Sequence, residues 1–296
     1  MKTRYLFSLA ALALLTAACS SDEMAQTPAP AEQPAPAKQM IPFSAVIGSN
    51  AATTRVLAEA ENGETITAKW QKGEKIALIH GEAIDTLEVS YVDATTGAAT
   101  ITGDITSPTN NEAVNVVYVG HQLGCMGEFV NGLKASMADH PDQTEIPEEV
   151  ITEMIKERLN IQDGTLETIS NKLDCRYTTS TLKVSDGTAT FGSKVELNPC
   201  FTIWKVNLIN ERNQPFDTQK LEFDIFHSDN SYTPYFLDNG NMRSTFYVAF
   251  IPDGTSYEFS TDIDNAIYKY TIHDITLEIG KFYTSTLQLE EWRDSE

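Results

Sequence analysis

Between residues 65 and 191 apolar and polar residues alternate in short runs, at 65–70, 75–79, 86–91, 98–102, 114–119, 181–184 and 189–191. A period of two sends successive side chains to opposite faces of an extended chain, so each run predicts a strand with one face in a core. Turn-forming pairs stand among the runs: Asn62-Gly63, Lys72-Gly73, Thr96-Gly97 and Asp186-Gly187. Short strands divided by tight turns predict an antiparallel β-sandwich. A second series follows from Val195, with "FTIWKVNLI", "KLEFDIF", "STFYVAFIP", "SYEFSTDI", "AIYKYTI" and "KFYTSTLQLEEW" alternating or continuously apolar, and Pro252-Asp253-Gly254 as a turn. Six strands in about 100 residues suffice for a second sandwich. The expected division is therefore 41–193 and 194–296, in a mostly β chain.

One segment has a different period. In "TEIPEEVITEMIKERLN" the residues Val150, Ile151, Met154, Ile155 and Leu159 recur at helical spacing. Pro147 falls in the first turn, Glu148 and Glu149 face the positive end of the macrodipole, and Lys156 and Arg158 the negative end. A helix is predicted here, inside an insertion at 134–168 in the first sandwich. Its apolar stripe either docks a partner or covers the domain's own core, and a stripe of this width more often does the latter.

The start of the chain is built differently. Lys2 and Arg4 precede a run at 6–18 that is apolar apart from Ser8 and Thr16. That is the layout of an export signal, too short for the roughly 20 residues of a spanning helix. Thr16-Ala17-Ala18 then leads into Cys19 and resembles the lipobox of bacterial lipoproteins, although Leu15 lies one place early and Thr16 stands in its position. The resemblance implies signal cleavage between Ala18 and Cys19 and acylation of the Cys19 thiol, palmitate included; the alternative is a plain secreted protein. Ser20, Ser21, Asp22 and Glu23 resemble the surface-export signal of Bacteroidetes lipoproteins, against the plainer reading of a solvated acidic start. Residues 19–40 contain Pro28, Pro30, Pro34 and Pro36 among Ala, Gln and Glu, a composition that stays extended and reads as a tether.

Composition narrows the function. Abundant Thr, Val, Ile, Tyr and Phe favour strands. A formal charge of −21 excludes a general nucleic-acid binder, which needs an excess of Lys and Arg, and argues against electrostatic attachment to an anionic membrane. Apart from Cys19 the cysteines are Cys125, Cys175 and Cys200, widely spaced and odd in number. One disulfide is open to them, with buried free thiols the plainer expectation. His80, His121, His140, His227 and His273 stand far apart, and neither a Gly-x-Ser-x-Gly elbow nor a phosphate loop occurs, Gly280-Lys281 lacking the rest of that motif. Asp262-Ile263-Asp264-Asn265 and Ser228-Asp229-Asn230 offer oxygens to calcium but lack the loop glycine and distal glutamate, so they read as solvated turns. No enzyme activity, cofactor or metal is expected.

A family resemblance adds the functional expectation. "TTRVLAEAENGETITAKWQKGEKIAL", "FYVAFIPDG" and the closing Gly280, Lys281, Phe282, Tyr283 with the Thr- and Leu-containing run that follows are similar to the fimbrillin family of Bacteroidetes surface lipoproteins. The resemblance implies two tandem transthyretin-like sandwiches and a structural subunit of a fimbria, as stalk, tip or accessory, supporting cell adhesion at the outer membrane. It also implies a first strand at 41–47 and cleavage by an arginine-specific protease between Arg55 and Val56. The slot so opened would be filled by another subunit's strand, and the last strand, with Tyr283, Leu287 and Leu289 on one face, is either that donor or an ordinary core strand. Expected partners are other fimbrial subunits and, through the lipid on Cys19, the outer membrane. The alternative is a stationary surface lipoprotein binding a host protein or glycan. In that reading Tyr232, Tyr235 and Phe236, in what reads as a polar loop, form the stacking platform unless they simply close the sandwich.

Overall fold

The computed structural model describes residues 38–48, 58–59, 66–67, 69–122, 124–139, 146–229 and 231–292. Residues Lys38–Glu296 form one compact unit. Its first strands are β1 (Met40–Ile47), β2 (Ala58–Glu59), β3 (Ile66–Thr67), β4 (Lys75–His80), β5 (Ala83–Val92), β6 (Ala99–Thr106) and β7 (Ala113–Val119). Helices α1 (Cys125–Asp139), α2 (Glu148–Glu157) and the single turn α3 (Leu166–Thr168) follow, then β8 (Cys175–Ser185), β9 (Thr188–Phe191) and β10 (Asn198–Pro199). The remaining strands are β11 (Thr202–Ile209), β12 (Thr218–Phe226), β13 (Tyr232–Arg243), β14 (Thr245–Phe250), β15 (Ser256–Ile263), β16 (Ala266–His273), β17 (Phe282–Gln288) and β18 (Glu290–Glu291).

The first half differs from the expected pair of facing sheets. Strands run in the order β8-β7-β4-β5-β6-β1-β9, and β9 pairs again with β8, so seven strands close on themselves as a barrel. The length of β8 makes this possible. Its residues 175–181 pair with β7, and its last four, 182–185, pair with β9 across the tight turn at Asp186 and Gly187. Ile41, Phe43, Ile76, Leu78, Leu87, Ile101, Val116 and Leu182 fill the interior. Val195 and Leu197 join this core and β10 still pairs with β8, so the first sheet gathers residues as far as Pro199.

Strands β4 and β7 read as almost unbroken apolar runs because both of their faces are buried. Ile76 and Leu78 point into the barrel while Ala77 and Ile79 point out, under the helices. The predicted helix is α2, and its Ile151 and Ile155, with Leu159 just beyond, enter this second core. Its stripe thus covers the protein's own interior.

The second half is a sandwich. A three-stranded sheet, β14-β11-β17, faces a five-stranded sheet, β13-β12-β15-β16-β18. Trp204 of β11 lies between them, with ring centroids 6.3 Å from Phe223, 5.8 Å from Tyr257 and 5.4 Å from Phe259. Edge-to-face rings at such distances contribute beyond their buried area. These residues belong to the same cluster as the helices, so the insertion and the second sandwich share one core.

Candidate assembly site

Strand β1 has the burial pattern of a wedge. Ile41, Phe43, Ala45 and Ile47 are buried while the alternate residues Met40, Pro42, Ser44 and Val46 are exposed. Its two margins are held unequally. Eight residue pairs in continuous antiparallel register tie it to β6, whereas β9 meets it in parallel at one pair, Phe43 with Ala189, and Ile47 adds an isolated bridge to Val195. The barrel therefore has a seam between β1 and β9. What closes it is mainly side-chain packing, with the Phe43 and Phe191 rings edge to face at 5.0 Å.

The other margins are at the second sandwich. The outer edge of β14 is occupied, because Tyr247 donates its N–H to the Gly164 carbonyl at 2.9 Å and the Gln162 side chain pairs reciprocally with Ala249. Gln162 donates to the Ala249 carbonyl at 3.0 Å and accepts its N–H at 2.9 Å, so one amide side chain takes the place of a neighbouring strand. Gly164 has φ of +84°, and a Cβ there would lie 2.7 Å from Phe246. At the opposite edge of this sheet stands β17, parallel to β11 from Phe282 to Gln288. Among the described residues no strand pairs with its far side.

The proposed donor residues fall on β17 and just beyond it. Leu287 and Leu289 are buried and Tyr283 is half-buried, giving the N–H of Glu278 an acceptor at 3.0 Å. Here the strand is part of its own chain's sheet. Ala18, Cys19, Arg55 and Val56 lie outside the described residues.

Other candidates resolve differently. Residues 232–243 form the edge strand β13 rather than a loop, so alternation separates the three aromatics: Tyr235 points into the core while Tyr232 and Phe236 are exposed on the outer face. Burial, with the Asp253 charge adding to it, pushes the Tyr235 hydroxyl up to about 12. Cys125, Cys175 and Cys200 form no disulfide, and burial pushes the Cys175 thiol well up. Asp264 and Asn265 are the two left-handed residues of the hairpin between β15 and β16, the geometry such turns require. Among the described residues no three His, Cys, Asp or Glu side chains gather to hold a metal. His80 is buried between two carboxylates, 3.1 Å from Asp85 and 3.2 Å from Glu112. Burial alone would lower its pKa, but the hydrogen bond to Asp85 and the Glu112 charge outweigh that, and the net direction is up. Gln162 and Gly164 cover a sheet edge in a way that periodicity does not reveal, since Ala249 lies 87 residues beyond Gln162 in sequence.

No family model and no curated protein matches this chain. Among the described residues no helix is long and apolar enough to cross a membrane. Solved structures that align with this chain include fimbrial proteins of Bacteroidetes. A fimbrial assembly protein from Parabacteroides distasonis aligns over 84% of this chain and 90% of its own at 10% identity and a TM-score of 0.43. A fimbrial protein from Bacteroides ovatus aligns over 84% of this chain and 49% of its own, at 11% identity and 0.39. The C-terminally truncated tip fimbrial protein Mfa3 from Porphyromonas gingivalis aligns over 81% and 83%, at 9% and 0.32.

Proposed function

We propose that the protein is a fimbrial structural subunit, carried to the outer surface as a lipoprotein on Cys19 and assembled by strand exchange after cleavage between Arg55 and Val56. In this reading 41–193 and 194–296 act as two transthyretin-like domains, the first closed at both margins. The observation that carries the proposal is the unequal hold on β1: a long ladder on one side, one residue pair and an isolated bridge on the other, and four alternating side chains in the core. Three of these are large, and burying them contributes roughly 5–9 kcal/mol. A whole domain is stable by about 5–15 kcal/mol, so an emptied slot demands another strand.

Strand addition supplies both backbone partners and side chains. Tyr283, Ser285, Leu287 and Leu289 offer the same two-residue spacing as Ile41, Phe43, Ala45 and Ile47. Read in reverse, the donor's sizes run large, large, small, large, as in β1, which favours an incoming strand antiparallel to the one it replaces. The test is digestion of the purified protein with an arginine-specific protease. A new amino terminus at Val56 followed by detergent-resistant ladders is expected; an intact chain that stays monomeric overturns the proposal.

A further inference from the structure

The outer face of the five-stranded sheet carries a groove of about 490 Å³ that plays no part in strand exchange. It is floored by Glu222 and Asp224 of β12 and by Glu258 and Ser260 of β15, with Phe236 of β13 and Ile267 of β16 at its sides. Alternation places these residues opposite the Trp204 core, where an ordinary antiparallel sheet would show solvated polar groups. Asp224 departs from that pattern. It is 8% exposed, and its Oδ1 has no hydrogen-bond partner among the described residues. Across the ladders it faces Pro234 on one side and Glu258 on the other, one side chain without a donor and one like charge.

A buried carboxylate without a donor is costly, and a like charge directly opposite adds to the cost. The neighbourhood has little with which to compensate. Five carboxylates line the groove against two lysines, and both lysines are engaged: Lys269 lies 2.9 Å from Glu258, and Lys220 lies 3.7 Å from Asp238. Meanwhile Phe236 is 66% exposed beside this floor. The groove thus carries a net negative charge, with both of its cations already engaged, while presenting an aromatic face.

We propose that this groove receives an arginine side chain of a partner protein, with the guanidinium donating to Asp224 and lying against Phe236. A guanidinium combines planar paired donors for a carboxylate with a flat face that stacks on an aromatic ring. An ammonium matches the charge but not the plane, and a neutral sugar needs acceptors and donors in equal measure where donors are scarce. A metal lacks three converging ligands among the described residues. The inference concerns a surface away from β1 and does not depend on cleavage or exchange.

Protonation gives the site a signature. Burial first, then the charges of Glu222 and Glu258, push Asp224 up to about 6, with Lys269 acting in the opposite direction. The other charged groups that face it across the groove are Lys220, Asp238 and Asp262. Since the guest needs Asp224 ionised, affinity falls as pH drops through about 6, and binding near that pH releases a proton.

The experiment is an NMR titration of the purified protein with a blocked Gly-Arg-Gly peptide, its citrulline and lysine analogues, and galactose. Shifts confined to β12, β13, β15 and β16, salt-sensitive and weakened about tenfold or more by Asp224→Asn, are expected, with citrulline inactive. Asp224→Asn keeps the side chain's shape and removes a buried charge, so it folds at least as stably at pH 7; Phe236→Ala supplies a second, surface variant that also weakens binding. Absence of binding by the arginine peptide, equal binding of citrulline, indifference to Asp224→Asn, or a response to galactose alone overturns the proposal.

Discussion

Replacing Phe43 by alanine tests whether β1 is held by packing at the seam. The ring is 2% exposed and stands edge to face with Phe191, on the side where β9 meets β1 at one residue pair. Truncation leaves the ladder to β6 untouched and opens a void between β1 and β9, for which a cost of about 3–5 kcal/mol applies. Val46, on the same strand but 60% exposed on the opposite face, is the control, and Val46→Ala costs less than about 0.5 kcal/mol. With a urea slope near 3 kcal/mol per molar for a chain of this size, Phe43→Ala lowers the midpoint by roughly 1–1.7 M and Val46→Ala by little. Fluorescence-detected unfolding of both variants measures this. Equal midpoints would refute the claim that side-chain wedging closes the barrel, and with it the case for a replaceable strand.

Two further outcomes follow from local geometry. Gly164→Ala costs about 2–4 kcal/mol in thermal or urea unfolding, from the left-handed backbone together with the Phe246 contact, whereas Gly73→Ala, also left-handed but with open space around it, costs about 1–2 kcal/mol. His80→Gln flattens the pH dependence of stability. The raised pKa of His80 means its contribution is full below 6.5 and is lost as pH rises through the folded value. That of Asp85, whose carboxyl is held down by hydrogen bonds from His80 and Thr106 despite its burial, is present above 3.8 and lost as pH falls through the folded value. Unfolding followed from pH 5 to 9 checks this, and a variant with the parent's slope would remove His80 as its source.

The runs of period two mark most of the longer strands because alternation is a local property, whereas β1 is expected only from the family resemblance. β13 escaped for an equally physical reason: Pro234 and the Asp238-Asn239-Gly240-Asn241 stretch look like breakers, and an edge strand tolerates both. Helix α1 is masked by Gly127 and Gly132; at Gly132 the helices approach closely, with the Met154 terminal methyl of α2 where a Cβ would stand. Closure of the barrel depends on how far β8 extends past β7, which no periodicity reports. Asp224 in "KLEFDIF" is placed outward by alternation, but its burial and lack of a partner come from Pro234 and Glu258, which reach it only through the fold.

Under the proposed strand exchange, covered edges restrict where an incoming strand can add. A chain that assembles by adding strands must leave one margin open to the intended partner and block the rest, because every unpaired edge is also a template for aggregation. Here, among the described residues, the seven barrel strands close on one another while β1 is present, leaving only the two-residue β10 as an edge of the first sheet, and the β14 edge is covered by Gln162 and Gly164, a segment of the helical insertion. The insertion therefore has two structural roles, covering the outer wall of β4 and β7 and denying a strand access to β14. Loss of β1 would uncover a slot whose four inward positions demand a large, large, small, large pattern at two-residue spacing, a filter that a charged or unbranched polar strand cannot pass. Under the proposed function, a seam between β1 and β9 that is weak in backbone pairing and strong in side-chain packing would hold the strand until cleavage and release it afterwards.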